Sequence, residues 1–281
     1  YAYAFDCPAG TYTVKPDYFS TTAWDGAVDI SWYDASQTVF SIDTPAKLAG
    51  LAALVNGQVD AGTPDYRIKG DRSELVSTRV DDYLLVGAGG GSQYGTAYVG
   101  DAAHDFSDKT VYLTGGLYPI DRDNTDRFIV AYFNCTLDGQ GHRITNLFCD
   151  RYAEKGYAYS QGVGLIGHMG DLYDGEAAPE TPPAVRNLPV SGSISGRRMV
   201  RGIVGRTGSI PTGIYLENCA NHASVKNTDS KGVGGIVGAG WSKGAIVNCY
   251  NTGSVTTGYA CPAGGICGSN SGLDIYNCYN V

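Results

Sequence analysis

Four stretches of the chain carry the same alternation of small, apolar and polar positions. They contain Gly164-Leu-Ile-Gly167, Gly202-Ile-Val-Gly205, Gly235-Ile-Val-Gly238 and Gly265-Ile-Cys-Gly268. Each leads into a second motif: Val185-Arg-Asn187-Leu, Leu216-Glu-Asn218-Cys, Ile246-Val-Asn248-Cys and Ile275-Tyr-Asn277-Cys. The Asn-to-Asn spacings are 31, 30 and 29, and six residues past Asn comes Ser193-Ile194, Ser224-Val225 or Ser254-Val255. Within each copy the apolar positions alternate over short runs broken by Gly and Asn, which predicts strands. A unit this short cannot bury its own apolar face, so its neighbours must cover it.

The phase of the alternation predicts a corner. The residue two before each Asn is apolar (Val185, Leu216, Ile246, Ile275), so strict alternation would turn the residue after Asn outward. Those followers, Leu188, Cys219, Cys249 and Cys278, are apolar as well. A left-handed backbone at Asn, which Asn tolerates better than other side chains, turns the chain and resets the inward face. From there 219, 221, 223 and 225 read Cys, Asn, Ala, Val inward, and 249 to 255 read Cys, Asn, Gly, Val.

Repeats of this kind predict an all-β fold, a right-handed parallel β-helix (solenoid) whose coils stack at about 4.8 Å. The segment Phe133 to Leu147 reads as an earlier coil and Val111-Tyr-Leu113 as the one before it. Inserts rich in Gly, Pro, Ser and Asp, at about Gly62 to Asp108 and Gly170 to Pro183, are expected as side loops. One helix is predicted over 44–56: Thr44 as N-cap, Pro45 at the first helical position, Leu48, Leu51, Ala52 and Val55 on one face, and Gly57 as the stop. Such a helix would cover the open apolar end of the first coil. The expectation is a single domain over 1–281, with an N-terminal cap (1–60), an irregular insert (61–108) and coils (109–281). Trp24 and Trp32 belong to that cap. The fourth copy stops at Val281 before its Ser-Val, so the chain is expected to be a piece of a longer protein.

Composition narrows the function. With 281 residues and 43% apolar positions the chain can bury a sizeable core, which disfavours disorder. Its 40 glycines show no three-residue period, which excludes collagen. A net charge of −8 disfavours nucleic acid as a partner. No run of 18 apolar residues occurs, so no membrane span is expected, and no secretory signal is visible.

No catalytic residue, metal or cofactor is assigned. Zinc peptidases need two histidines four apart on a helix with Glu between, whereas His104, His142, His168 and His222 are isolated. Strings used by polygalacturonase-type hydrolases occur as Asn124-Thr-Asp126, Asp81-Asp82, Gly141-His142 and Arg67-Ile-Lys69, but in scrambled order. Chain order fixes the coil in a stacked fold, so they cannot assemble that site. Asp121, Asp123 and Asp126 lack the turn glycine and terminal Glu of a calcium loop and read as a solvated corner. Gly87-Ala-Gly89-Gly-Gly91 has no following helix to hold a pyrophosphate and reads as a loop tip, and Lys69-Gly-Asp71 is too short to carry weight.

Cys219, Cys249 and Cys278 recur with the repeat and are expected as an inward column of free thiols. In-register side chains point the same way, which disfavours a disulfide. Any bridge would involve the off-register Cys7, Cys135, Cys149 and Cys261. Asn187, Asn218, Asn248 and Asn277 are expected as a hydrogen-bonded corner ladder.

Gly234-Gly-Ile-Val-Gly238 and Asn248-Cys-Tyr-Asn-Thr-Gly-Ser-Val255 closely resemble the repeats of the GLUG family of exported bacterial proteins. The segment from Trp24 to Gly57 resembles the leader that precedes such repeats, and Asp138-Gly-Gln-Gly-His142 their first full coil. The resemblance implies export, display at the cell surface, a right-handed β-helix and an adhesin-like setting. Related repeats also flank the catalytic domain of immunoglobulin A-cleaving metallopeptidases.

The expected function is therefore a non-catalytic, adhesin-like scaffold, secreted or at a bacterial surface, monomeric, presenting loops to a host or extracellular-matrix protein or glycan. Tyr83, Tyr94 and Tyr98 in the insert are the expected contact residues. A polysaccharide-cleaving hydrolase or lyase would instead need two carboxylates about 5–10 Å apart on one exposed sheet face. A structural spacer beside a peptidase domain would show no deep pocket.

Overall fold

The computed structural model describes residues 27–55, 106–117, 130–150, 161–170, 178–196, 198–228, 232–258 and 261–281. Among these the fold is all-β with one helix, and every paired strand runs parallel to its partner. Three sheets carry most of the chain. The first holds Val39–Ile42, Thr110–Leu113, Thr136–Asp138, Ala184–Arg186, Ile214–Glu217, Gly244–Val247 and Leu273–Tyr276 in that spatial order. The second sheet starts at Ile144–Asp150 and Pro189–Gly196. It continues through Ala220–Asn221 with Ser224–Asn227, Tyr250–Asn251 with Val255–Thr257, and Tyr279–Asn280. The third joins Val130–Phe133, Ile166–Met169, Val204–Thr207, Val237–Gly240 and Cys267–Asn270.

Equivalent residues of successive repeats lie opposite one another. Leu216 pairs with Val185 on one side and Ile246 on the other, and Ile246 pairs with Ile275. Val225 likewise lies between Ile194 and Val255. These columns build the core: Val185, Leu216 and Ile246 are wholly buried, as are Val204 and Val237 in the third sheet. Ile275 has the same place in its repeat but lies in the terminal strand of its sheet and is 42% exposed.

The chain turns where the alternation required it to. Asn187, Asn218, Asn248 and Asn277 all have left-handed backbone, with φ of 52°, 54°, 53° and 50°. Each side chain donates to the previous repeat: Asn277 to Asn248 (3.3 Å), Asn248 to Asn218 (3.2 Å), Asn218 to Asn187 (3.0 Å) and Asn187 to Asp138 (3.0 Å). Past the corner, Cys219, Asn221, Ala223 and Val225 are all buried. Asn221, Asn251 and Asn280 form a second, interior ladder, with amide contacts of 2.7 and 2.6 Å between repeats. The same amides close on backbone carbonyls, Asn221 on Ala223 (3.0 Å) and Asn251 on Gly253 (2.8 Å). Each buried amide thereby keeps partners that an unpaired one would lack at about 1–3 kcal/mol.

That interior ladder explains the first glycine of the Gly-Ile-Val-Gly motif. A Cβ at Gly235 would run into the Asn251 amide and the Gly265 carbonyl, and Gly202 and Gly265 meet Asn221 and Asn280 in the same way. A second glycine serves a different end. Gly192 has φ 143° and passes against the Leu147 backbone, where the pairing of Ile144–Asp150 with Pro189–Gly196 shifts register between Ile144 and Leu147. It absorbs this bulge, where a Cβ would not fit.

The helix spans Pro45–Val55, and Thr44 caps it by accepting the Lys47 amide at 3.3 Å. It is buried on more than the one predicted face: Leu48 through Val55 are all enclosed. The cause is the preceding segment, which lies over the helix. Asp29 donates its amide to Ala46 (3.0 Å), and Gly50 approaches the Asp29 carbonyl too closely for any side chain. Trp32, Tyr33, Phe40 and Phe106 pack together at this end, with ring centroids 5.4–6.3 Å apart. The last residues of the two inserts also meet, as Asp108 accepts the Thr181 amide at 2.7 Å.

The described cysteines Cys135, Cys219, Cys249, Cys261, Cys267 and Cys278 are free thiols. Cys219 and Cys249 are buried one repeat apart, and the Cys219 amide points at the Cys249 sulfur (3.4 Å). Contact with Cys219 and burial push the Cys249 thiol far above its ordinary range. Cys7 and the Cys149 side chain lie outside the described residues.

Candidate functional site

Because Val190, Asn221, Asn251 and Asn280 point inward, their neighbours in the second sheet point outward. Pro189, Ala220, Tyr250 and Tyr279 lie opposite one another across four strands. Two residues further on come Ser191, His222, Thr252 and Val281. A groove of about 710 Å³ runs over this face.

One wall is aromatic. The Tyr250 and Tyr279 rings stack at 5.1 Å with planes 4° apart, and the His222 ring meets Tyr250 edge-on at 5.5 Å. His222 Nδ1 is hydrogen-bonded to Thr252 Oγ1 at 2.6 Å, which fixes the imidazole in the row. The opposite wall comes from far upstream. Ile144 lies opposite Val190, so Arg143, just before that strand, stands beside Pro189. From Arg143 to Tyr250 the groove spans three strand steps, about 14 Å between backbones. Thr145 and Ser191 add hydroxyls along it.

The electrostatics follow from this placement. Burial and then the Arg143 charge hold the His222 imidazole below its ordinary pKa, so it is neutral at neutral pH. Burial, helped by Tyr279 and opposed by Arg143, raises the Tyr250 phenol, which stays protonated. Among the described residues no Asp or Glu lines the groove, although the chain as a whole is strongly acidic. Such a surface can stack against a ligand, exchange hydrogen bonds with it and offer one fixed cation. Its described lining residues include no carboxylate pair of the kind glycoside hydrolysis uses.

Carboxylates do share a face elsewhere. On the outward side of the first sheet Asp138 lies opposite Arg186, and Arg186 opposite Glu217, so the two acids are two strand steps, about 10 Å, apart. Arg186 pairs with Glu217 at 3.7 Å. Asp138 Oδ1 accepts from the Gln140 amide (2.9 Å) and from Asn187 (3.0 Å). Both acids are thus engaged with neighbours.

The structure brings Asn187, Asn218, Asn248 and Asn277 together at one corner, and Cys219, Cys249 and Cys278 in one column behind it. Tyr83, Tyr94 and Tyr98 lie outside the described residues, as do His104, Asp121, Asp123, Asp126 and three of the four hydrolase-like strings. Among the described residues no cluster of three His, Cys, Asp or Glu side chains could hold a metal, and no helix is long and apolar enough to cross a membrane.

The groove went unrecognised in the sequence, although part of its signal is there. Asn248-Cys-Tyr250 and Asn277-Cys-Tyr279 place Tyr at the same point of consecutive copies, and outward phase follows from the corner argument. Nothing local marks Arg143.

No family model matches the chain, so the resemblance to the GLUG family rests on the motifs quoted above. No curated protein matches it either. Among solved structures it is similar to a Bacteroides ovatus protein described as a "putative immunoglobulin A1 protease", at 21% identity and a TM-score of 0.38, over 62% of this chain and 69% of that one.

Proposed function

We propose that this chain is a non-catalytic, adhesin-like binding scaffold, exported to a bacterial surface, in which the repeats wind as a right-handed parallel β-helix and present the Tyr250 groove to a host or matrix ligand. The observation that carries the reading is an aromatic groove, with no carboxylate among the described residues that line it, on the outer face of a parallel sheet whose inner strands are paired on both sides. Its inner face is locked by the Asn221 and Asn251 amides, so the outward rings stand on a rigid base. Rigid aromatic side chains lose little entropy on contact and dominate interface energetics. A groove of this size also weighs against a bare spacer.

The experiment is a glycan and matrix-protein array probed with the chain and with its Tyr250→Ala variant. Retained signal for a defined ligand class, lost in the variant, is the expected result. A polysaccharide-cleaving enzyme is the second reading, because Asp138 and Glu217 share one exposed face two strand steps apart, at the upper edge of the spacing of a glycosidase carboxylate pair. Turnover of pectin-like polymers, abolished by Glu217→Gln, would establish that reading and overturn the first.

A further inference from the structure

We infer that the groove takes a carboxylate-bearing oligosaccharide, with its acidic group on Arg143 and its sugar rings along Tyr250 and Tyr279. This deepens the binding reading and rests on it.

Three features select the ligand. First, Arg143 faces the groove on a protein of net charge −8, and no carboxylate lines it among the described residues. A cation so placed favours a negatively charged ligand over a neutral one. Arg143 has five N–H donors in a planar fork, so it can hold a carboxylate beside its existing contacts. Second, the Ser191 hydroxyl, and those of Thr145 and Thr252 with one bond each already made to Leu117 and His222, lie along the groove beside the flat rings. That mixture matches a ligand with hydroxyl edges and apolar C–H faces. Third, the inner strands under the groove, Pro189–Gly196, Ala220–Asn221 and Tyr250–Asn251, pair on both sides within the sheet, so an extended peptide could add as another strand only at the two ends of the groove. Neutral His222, held by Thr252, adds a hydrogen-bonding edge without a second charge.

Sialic and uronic acids share this chemistry, and the test separates them. The chain is titrated calorimetrically with sialyllactose and with a galacturonate tetramer, each beside its neutral counterpart (lactose, and the carboxyl-reduced tetramer). An acidic peptide is the fifth ligand. One acidic sugar is expected to bind more tightly than its neutral counterpart, by about 10- to 100-fold, with affinity falling as salt rises. Arg143→Gln should remove that preference while Tyr250→Ala weakens both members of the pair. Arg143→Lys should restore part of it, since it returns charge without the fork. Thermal melts of the variants show whether the fold is kept; these positions lie on the outer face, so melting close to that of the unaltered chain is expected.

Equal affinity for acidic and neutral sugars, or an Arg143→Gln variant with unchanged preference, overturns the inference and leaves glycan binding standing. Tight binding of the acidic peptide in place of the sugars overturns the ligand class. Failure to bind any of the five overturns the inference, and polymer cleavage by the chain overturns the binding reading itself.

Discussion

Asn248 and Asn251 lie three residues apart in one repeat, and each hydrogen-bonds to asparagines of the copies before and after. Asn248 stands at an exposed corner with φ 53°, and its side chain makes one bond in each direction, at 3.2 and 3.3 Å. Asn251 is wholly buried, with bonds of 2.7 and 2.6 Å along the column and a third to the Gly253 carbonyl. The first column exists for the backbone: Asn is there because few side chains accept a left-handed turn. The second exists for its amides, which fill and satisfy an interior strip of main chain. Identical residues at identical spacing therefore answer to two different kinds of physics.

Substitution separates them, beginning with the largest effect. Asn251→Ala should cost about 2–4 kcal/mol, because it strands the Gly253 carbonyl and one N–H of the buried Asn221 amide inside the core. Asn251→Gly should be no milder, since backbone freedom is not what this position needs. Urea denaturation checks both, and a loss below 1 kcal/mol would show the interior ladder to be dispensable.

Arg201 sharpens the contrast as an interior polar residue without the partners that Asn251 has. It is completely buried, and its guanidinium nitrogens have no hydrogen-bond partner among the described residues. Burial drives its pKa well below the usual range. Arg201→Met should therefore stabilise the fold by about 1–4 kcal/mol in the same measurement. A destabilised variant would mean that the charge has a partner the structure does not reveal.

Effects at the corner should be smaller and respond to glycine. Asn248→Ala forces a Cβ into left-handed backbone and should cost about 1–2 kcal/mol, whereas Asn248→Gly should cost no more than about 0.5 kcal/mol. If glycine fails to rescue this position, the hydrogen-bond ladder outweighs the backbone, and the distinction between the columns collapses.

The smallest effect belongs to the outer face. Burial and Arg143 lower the His222 pKa in the folded chain below 6.5, so the unfolded state binds more protons beneath that pH. The stability involved is present above pH 6.5 and is lost as pH falls towards the folded value. Among the described residues the groups facing His222 are Arg143, Tyr250, Tyr279 and Thr252. His222→Gln should therefore flatten the slope of stability between about pH 7 and pH 5. An unchanged slope would place the pH dependence elsewhere.

The parts legible in the sequence were those decided within a few residues. The corner asparagines, the inward run from Cys219 to Val225 and the Thr44 cap of the helix each follow from φ/ψ tolerance or period-2 alternation. Half of the groove was legible on the same grounds, since Tyr250 and Tyr279 occupy one position of consecutive copies. Arg143 was not, because it reaches the groove only through the pairing of Ile144 with Val190 and the bulge beside Gly192.

The amino-acid sequence by itself determined the period, the turning points and which residues of each repeat face inward, because these depend on local backbone preference and on alternation. Only the tertiary structure decided that the helix is enclosed by residues 27–33, that Arg201 is shut inside with no hydrogen-bond partner among the described residues, and that Arg143 faces Tyr250. Those outcomes depend on which distant strands pair, in what register and over which neighbours, and no window along the chain contains that information.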